Sequence, residues 1–406
     1  MKIKLGVFFG GKSTEHEVSI ITAIQAIENM DTEKYDIIPI YIAKDNKMYV
    51  GEKVGDIRNY KDIEKLKEES TQVTLSQKDN KVVLLRCNKK MFENSEYDYI
   101  DIAFPIVHGT NVEDGTLQGF LKMYNLPYVG CDVTSSACGM DKYVSKCVLA
   151  ANNIPVLDCK CYTSKDYNEN LDGMLSEVEK TFKYPVIIKP VNLGSSVGIS
   201  VAKDRKSLEK SIDEAFEYSK KILIERAVTN MKEVNCSVIG DYDNQKASEI
   251  EEPVKTEEIL SYKDKYISGG KGTKGGAKTE KSMNAGVLKL PAEITKEQRK
   301  IVQDLAIETF RALGCSGVIR IDFIIDQDED KIYVNEVNTI PGSLSFHLWK
   351  AAGTSYKDEL NEIIDLALKR NREEKKLMFS FDTNILAGYT EDSFKGFNGG
   401  TKGVKM

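Results

Sequence analysis

The residues best suited to do chemistry are Arg320, Asp322, Glu336 and Asn338. They lie in Gly317-Val-Ile-Arg320-Ile-Asp322-Phe-Ile-Ile-Asp326 and Lys331-Ile-Tyr-Val-Asn335-Glu336-Val-Asn338. Both segments have strand composition, and the acidic stretch from Gln327 to Asp330 reads as the turn of a hairpin. Strand side chains alternate between faces, so Arg320 shares a face with Asp322, and Glu336 with Asn338. Folding about the turn predicts Asp322 opposite Glu336 and Arg320 opposite Asn338, at a cross-strand spacing of about 5 Å. Two carboxylates and an amide oxygen suit a hard cation such as Mg2+, which completes its shell with phosphate and water. An isolated Asp/Glu pair on a hairpin is more often a solvated face, so the inference depends on what accompanies it.

A second constellation is Tyr184-Pro-Val-Ile-Ile-Lys189-Pro-Val-Asn-Leu-Gly194-Ser195-Ser196-Val-Gly198. A strand delivers a lysine at its end, and a glycine-serine loop turns into a further strand, Ile199 to Ala202. Lysine is a compact charge suited to phosphate, and Ser195 and Ser196 between glycines allow backbone N–H groups to close over a polyphosphate. Downstream, Ile222-Leu-Ile-Glu225 presents a carboxylate at a strand end, suited to an adenine edge, and Glu233 is placed to reach ribose hydroxyls. Gly6-Val-Phe-Phe-Gly10-Gly11-Lys12-Ser13 matches the P-loop expression literally. Its free positions begin with Val7-Phe8-Phe9, however, which read as the strand itself, so a short glycine turn opening a helix at Ser13 to Ser19 is expected instead. Glu15 lies in that first turn. The three histidines, His16, His108 and His347, are too dispersed for a zinc site, and no cysteine or serine sits on a nucleophile elbow.

The elements that must position these groups follow from pattern. Ile3 to Phe9, Ile37 to Ile42 and Tyr99 to Pro105 are continuous apolar runs, which predicts a buried parallel sheet with helices on its faces. Residues 46–98 read as an elaborated connection carrying helix Asp62 to Glu69 and strand Lys81 to Arg86. A second unit opens at Met140-Asp-Lys142 with helix Lys142 to Ala151, and strand Val186 to Lys189 follows. The remainder to Asn338 reads as strand-rich. It is interrupted by residues 261–285, whose alternating glycines and lysines suit a mobile loop. Helices Thr295 to Leu313 and Tyr356 to Lys369 flank the hairpin, and the Gly/Lys-rich end reads as a flexible tail.

A chain of 406 residues implies two or three domains. Hydrophobic residues are 41% and charged residues 30%, and no run approaches the roughly 20 apolar residues of a membrane span, so membrane insertion is not expected. The N-terminal residues lack a signal-peptide pattern, which makes the cytoplasm the default. The eight cysteines are scattered and read as reduced packing residues. A net charge of −6 argues against nucleic acid as a partner.

Several motifs then occur in one order: Ser13-x-Glu15-His16-Glu17-Val18-Ser19, His108-Gly109 with Glu113-Asp114-Gly115, Met140-Asp-Lys142, Lys189-Pro190 with Gly194 to Gly198, Lys265-Tyr266, Arg320-Ile-Asp322, and Glu336-Val-Asn338-Thr-Ile-Pro-Gly342. Together they resemble the D-alanine–D-alanine ligases of the ATP-grasp superfamily, over about residues 1–370. The resemblance implies an α/β and α+β multidomain chain, an N-terminal parallel α/β domain followed by a two-subdomain ATP-grasp fold. The parts expected are an N-terminal substrate domain (1–139), a central subdomain (140–220), a C-terminal subdomain (221–378) with a lid (261–285), and an extension (379–406). It implies ATP and two Mg2+ ions, with Mn2+ as a substitute, small-molecule D-amino acids as substrates, and a homodimer. Glu15, Ser195, Tyr266 and Arg320 would serve the first amino acid and the reacting groups. Lys142, Lys189, Ser196, Glu225, Glu233 and Lys265 would hold the nucleotide, and Asp322, Glu336 and Asn338 the metal. His108, Gly342, Ser345 and His347 would face the second amino acid. The family usually has a serine five residues past the glycine, where this chain has His347, so D-serine and D-lactate stand beside D-alanine as acceptors; Tyr266 favours an amine.

Overall fold

The computed structural model describes residues 2–89, 91–194, 197–254, 287–381, 383–384 and 387. Ser195, Ser196, Lys265, Tyr266, the expected lid and nearly all of the expected tail lie outside these residues.

The first sheet holds β1 (Ile3–Gly10), β2 (Tyr35–Ile42), β3 (Met48–Val50), β4 (Thr71–Lys78), β5 (Lys81–Arg86), β6 (Glu96–Ile100) and β7 (Ile102–Val107), in the order β6-β5-β4-β3-β2-β1-β7. Among the described strands of this sheet, β1 pairs in parallel with β2 and with β7, and the other strand pairs are antiparallel. Residues 46–98 are therefore more than the expected connection, because β3 to β6 extend the sheet as an antiparallel meander. β5 is the expected strand Lys81 to Arg86, whereas the shortness of β3 and the polar outer faces of β4 and β6 hide those strands from a reading of the sequence. β1 does consume Val7, Phe8 and Phe9, all fully buried. The turn after it is made by Gly10 and Gly11, at φ of +93° and +92°, where a Cβ would fall 2.3 Å from Ile42 O and 2.4 Å from Val112 Cγ1. The helix that follows runs His16–Asn29, later and longer than expected, with Glu15 as its N-cap.

The second sheet, β8 (Cys159–Thr163), β9 (Val186–Pro190), β10 (Ser200–Ala202) and β11 (Lys221–Arg226), has the order β10-β9-β11-β8 and is antiparallel. Helices Ser164–Thr181 and Arg205–Tyr218 cover one face of it, packing Leu175, Val178, Leu208 and Ile212 onto Ile188 and Ile224. The region is thus more helical than its sequence suggests.

The third sheet, β12 (Met231–Gly240), β13 (Gln245–Val254), β14 (Val287–Lys289), β15 (Gly317–Asp326) and β16 (Lys331–Asn338), has the order β14-β13-β12-β15-β16. Helix Lys296–Ala312 buries Val302, Ala306 and Phe310 against it. That helix begins where its capping box predicts, with Thr295 accepting from Gln298 N and the Gln298 side chain accepting from Thr295 N. It ends before Gly314, at φ +64°. Helix Tyr356–Glu374 packs Leu360, Ile363 and Ile364 into the core of the first sheet. All eight cysteines are free thiols, and Cys87 and Cys147 are exposed rather than packed. Among the described residues, no helix is long and apolar enough to cross a membrane.

Candidate active site

The hairpin of β15 and β16 pairs Arg320 with Asn338 and Asp322 with Glu336. A regular hairpin closing with Asp326 opposite Lys331 would have brought Asn335 to Asp322. A bulge just past Asp322 shifts the register by one and delivers Glu336 instead. The same bulge re-aims Asn335, whose Oδ1 accepts from Lys189 Nζ at 3.1 Å. The Arg320 guanidinium grips Asp322 as a fork, Nε to Oδ1 at 2.7 Å and a terminal nitrogen to Oδ2 at 2.9 Å, and Asn338 Nδ2 donates to the same carboxylate at 3.2 Å. Burial pushes the Asp322 carboxyl up; the Arg320 guanidinium opposes that, and the charges of Glu336 and Glu233 add to the rise.

Two lysines from other elements reach this cluster. Lys142, first residue of helix Lys142–Ala151, donates from Nζ to Glu336 Oε1 at 2.8 Å and to Leu193 O at 2.7 Å, tying the loop before Gly194 to the hairpin. Lys189 at the end of β9 bonds the Glu225 carboxylate of the neighbouring β11. Glu225 does not stand open at a strand end as its sequence suggests. It is fully buried, with Lys189 at one oxygen and Lys146 Nζ 2.7 Å from the other. Burial works to raise its pKa, but the two ammonium groups outweigh burial and hold it below the ordinary carboxylate value. Nothing in the sequence singles out Lys146 beyond its position one turn after Lys142 on the same helix face.

On the other side, Glu15 packs its carboxylate against Gly109 and Gly194, where a Cβ would lie 3.1 Å and 2.8 Å from Oε2. Both glycines keep their neighbourhood clear for this acid. Ser13 Oγ donates to His108 O at 2.6 Å and accepts from Glu15 N at 3.2 Å. His108 does not face an open site. It is buried, its Nε2 lies 3.1 Å from Thr22 Oγ1, and burial lowers its pKa to about 4, so it is neutral and structural. Glu113 accepts from Gly109 N at 2.9 Å and from Ile340 N at 3.0 Å, fastening the loop after β7 to the segment after β16. Burial, with the charge of Glu15 added, pushes its carboxyl up to about 8.

Past the hairpin, Ser343, Leu344 and Ser345 adopt φ of +50°, +52° and +60°. Three consecutive left-handed residues without a glycine among them are strained, the kind of backbone that clusters at ligand sites. Gly342 is exposed, whereas Ser345 is buried. His347 turns back onto the third sheet, its Nε2 2.5 Å from Glu251 Oε2, and Glu251 also accepts from Asn235 Nδ2 at 3.0 Å. Glu251 was not among the residues the sequence singled out, because a carboxylate in Glu249-Ile-Glu251-Glu252 reads as one of a solvated run.

The arrangement gathers Lys142, Lys189, Arg320, Asp322, Glu336 and Asn338 on one surface, with Glu15 beside the loop that leads to Ser195. Among the described residues no three of His, Cys, Asp and Glu are grouped to hold a metal. Asp322, Glu336 and the Asn338 amide fit a Mg2+ ion that keeps part of its shell for phosphate and water. The charges of Glu336 and Glu233, which add to the rise of the Asp322 carboxyl, are what such an ion would offset.

The geometry agrees with what comparison finds. Residues 4–131 match the family model described as D-ala D-ala ligase N-terminus, and residues 148–365 match that of the D-ala D-ala ligase C-terminus. The chain belongs to the D-alanine–D-alanine ligase family. A D-alanine–D-alanine ligase of Thermosipho melanesiensis is 39% identical over 385 residues, covering 95% of this chain and 98% of that one. The solved D-alanine–D-alanine ligase of Coxiella burnetii shares the fold with a TM-score of 0.75 and 29% identity, over 92% of this chain and 96% of that one. The VanG D-Ala:D-Ser ligase of Enterococcus faecalis has a TM-score of 0.73 and 31% identity, over 90% and 100%. A Bacillus anthracis D-alanine–D-alanine ligase complexed with ATP has 0.63 and 27%, over 92% and 99%. In this ligase family member, then, a parallel-cored first sheet and two antiparallel sheets are the family's own architecture.

Proposed function

We propose that the protein joins two D-alanine molecules into D-alanyl-D-alanine, with ATP converted to ADP and phosphate. The observation that carries this is the hairpin surface, where two carboxylates and an amide are interleaved with Arg320, Lys142 and Lys189, in a chain whose curated relatives are D-alanine–D-alanine ligases over nearly their whole length.

A carboxylate oxygen of the first amino acid attacks the γ-phosphorus, and ADP leaves. The amine of the second attacks the acyl carbon, phosphate leaves, and the ammonium proton is lost. Phosphoryl transfer depends on positioning and charge neutralisation rather than on covalent chemistry by the protein. Lys142 and Lys189 bind phosphate oxygens, Arg320 faces the acyl phosphate, and Glu15 orients the first ammonium, with Ser195 and Tyr266 beside it. Glu233 selects the ribose, and Glu225 turns an oxygen to the base once Lys189 leaves it for phosphate; Ser196 and Lys265 complete the phosphate contacts. Mg2+, when bound by Asp322, Glu336 and Asn338, supplies charge compensation for the polyphosphate. Residues 261–285 act as the lid that excludes water.

The reading also takes residues 1–139, 140–220 and 221–378 as three domains, supported by the three sheets, and places the chain in the cytoplasm as a homodimer. The alternative acceptor is D-serine, because position 347 departs from the serine usual in the family and because the fold is shared with a D-Ala:D-Ser ligase. ADP release with Mg-ATP and D-alanine, then with D-serine or D-lactate added and products identified by mass, separates these. D-alanyl-D-alanine as main product is expected. A mixed dipeptide would move the protein to the other acceptor, and no D-amino-acid-stimulated ADP release would end the ligase reading.

A further inference from the structure

Two ion pairs set helix Lys142–Ala151 along the second sheet. Its N-cap Asp141 accepts from Lys221 Nζ at 2.5 Å, and Lys146 Nζ stands 2.7 Å from Glu225 Oε2. Lys221 and Glu225 lie near the two ends of β11, so the helix runs beside that strand in the same direction. Ile222 and Ile224 turn to the helices on the sheet's other face, which leaves Leu223 and Glu225 facing helix Lys142–Ala151. On β8, Cys161 lies opposite Leu223 and Cys159 opposite Glu225, so both thiols share that face. Lys160 between them points to the other side, where it bonds Glu177.

Four helical residues and two strand residues each span about 6 Å. Tyr143 and Cys147 therefore step along the helix as Cys161 and Cys159 step along β8. Lys146 fixes the level of Glu225, and Cys147 follows it at the level of Cys159. Tyr143 hydrogen-bonds to the Cys147 side chain, and its ring lies 5.8 Å from Lys221 Nζ. Cys147 is exposed, while Cys159 and Cys161 are half-buried. Burial pushes the Cys159 thiol up to about 11; Lys146 opposes that, and the charges of Glu225 and Cys147 add to it. Cys159 therefore stays a thiol, and the exposed Cys147 is the sulfur that a solvent oxidant meets first.

We propose that Cys147 and Cys159 form a peroxide-sensitive dithiol, and that its oxidation to a disulfide weakens nucleotide binding at the neighbouring Glu225. The Cys147 thiolate attacks a peroxide oxygen, the O–O bond breaks, and a sulfenic acid and hydroxide form; the Cys147 proton turns that hydroxide into water. The Cys159 sulfur then attacks the Cys147 sulfur, the S–O bond breaks, and hydroxide leaves with the Cys159 proton as a second water. The two thiols give up two electrons, and peroxide takes them. In a reducing compartment such a bond is transient and reversible. A disulfide holds its Cα atoms within about 7 Å, so closing it fixes the helix onto β8 at Cys147 and draws the adjacent Lys146 away from Glu225. Once Lys189 turns to phosphate, that carboxylate is left buried without its second ammonium. The coupling rests on the nucleotide-binding part of the ligase reading, whereas the disulfide does not.

The test treats the full chain with a modest excess of hydrogen peroxide, maps disulfides by peptide mass, and measures Mg-ADP binding by calorimetry before oxidation, after it, and after dithiothreitol. Trypsin releases Cys147 to Lys160 as one peptide, so the expected bond is a loss of two hydrogens within it, whereas a bond to Cys161 joins two peptides. Oxidised wild type should bind Mg-ADP about tenfold more weakly and regain its affinity with dithiothreitol. C147S and C159S should bind like untreated wild type and keep that affinity in peroxide, and C161S should respond as wild type does. C147S, at an exposed position, carries the comparison if C159S does not fold. No hydrogen loss within the peptide, a bond to Cys161 instead, unchanged binding after the bond forms, or equal weakening of C147S would overturn the inference while the nucleotide site stands. An untreated wild type that does not bind Mg-ADP would overturn the nucleotide site, and the coupling with it.

Discussion

Lys142 Nζ and Glu336 Oε1 lie 2.8 Å apart although 194 residues separate them in the chain. The same self-neutralisation recurs at Lys189 with Glu225 and at Arg320 with Asp322. Each anion expected to serve a metal or a base is held by a cation expected to serve phosphate or the acyl group. On the proposed function, Mg-ATP would enter by exchange of partners, with no net charge left buried alone.

Glu336→Gln keeps the shape and the Lys142 hydrogen bond but removes the metal-binding charge. ADP release should fall at least about a thousandfold, as expected when charge compensation in phosphoryl transfer is lost. Thermal unfolding should be nearly unchanged, because the Glu336 side chain is 25% exposed. Full activity in this variant would remove the metal assignment.

Lys146→Met leaves Glu225 with Lys189 as its one remaining ammonium partner of the two seen here. When Lys189 turns to phosphate, a buried carboxylate is stranded, and the KM for ATP should rise about tenfold or more. Lys146→Met combined with Glu225→Gln should cost less than Lys146→Met alone. Initial rates at varied ATP decide this, and a neutral single variant would contradict it.

Glu359 is fully buried, and among the described residues neither carboxylate oxygen has a hydrogen-bond partner. Burial, with the charge of Glu362 added, pushes its carboxyl up to about 9. The folded state therefore holds a proton that the unfolded chain releases near its ordinary carboxylate pKa. Its contribution is most favourable below that pKa and is lost progressively as pH rises toward about 9. Glu359→Gln should raise the unfolding midpoint at pH 8 and leave it near the wild-type value at pH 4; equal shifts at both values would count against it.

Lys12→Ala tests the glycine turn. Lys12 is exposed, and β1 occupies the positions a P-loop would need for phosphate. Nucleotide affinity measured by calorimetry should stay within about threefold of wild type, since exposed substitutions away from a site change energies little. A hundredfold loss would restore the P-loop.

The hairpin face, the strand before the glycine turn and the helix from Thr295 were legible because each rests on a local pattern, an alternation in the first and an apolar run or helical periodicity in the others. Lys146, Asn335 and Glu251 were not. Lys146 matters only because β11 brings Glu225 to it, Asn335 because a bulge re-aims it, and Glu251 because a helix far along the chain returns His347 to β13. Long-range pairing also explains β3 and β4, which read as loop until a sheet edge accepts them, whereas β5 was readable as the strand Lys81 to Arg86. Glu225 shows the converse: its strand position was readable, but the two lysines that enclose it come from a different helix and a neighbouring strand.

The bulge past Asp322 lets one strand address two partners: Glu336 faces Asp322 while Asn335 reaches Lys189 of the second sheet. Losing that one extra residue would leave the hairpin regular and cut this tie to β9, so a single inserted position carries one of the links between the two sheets.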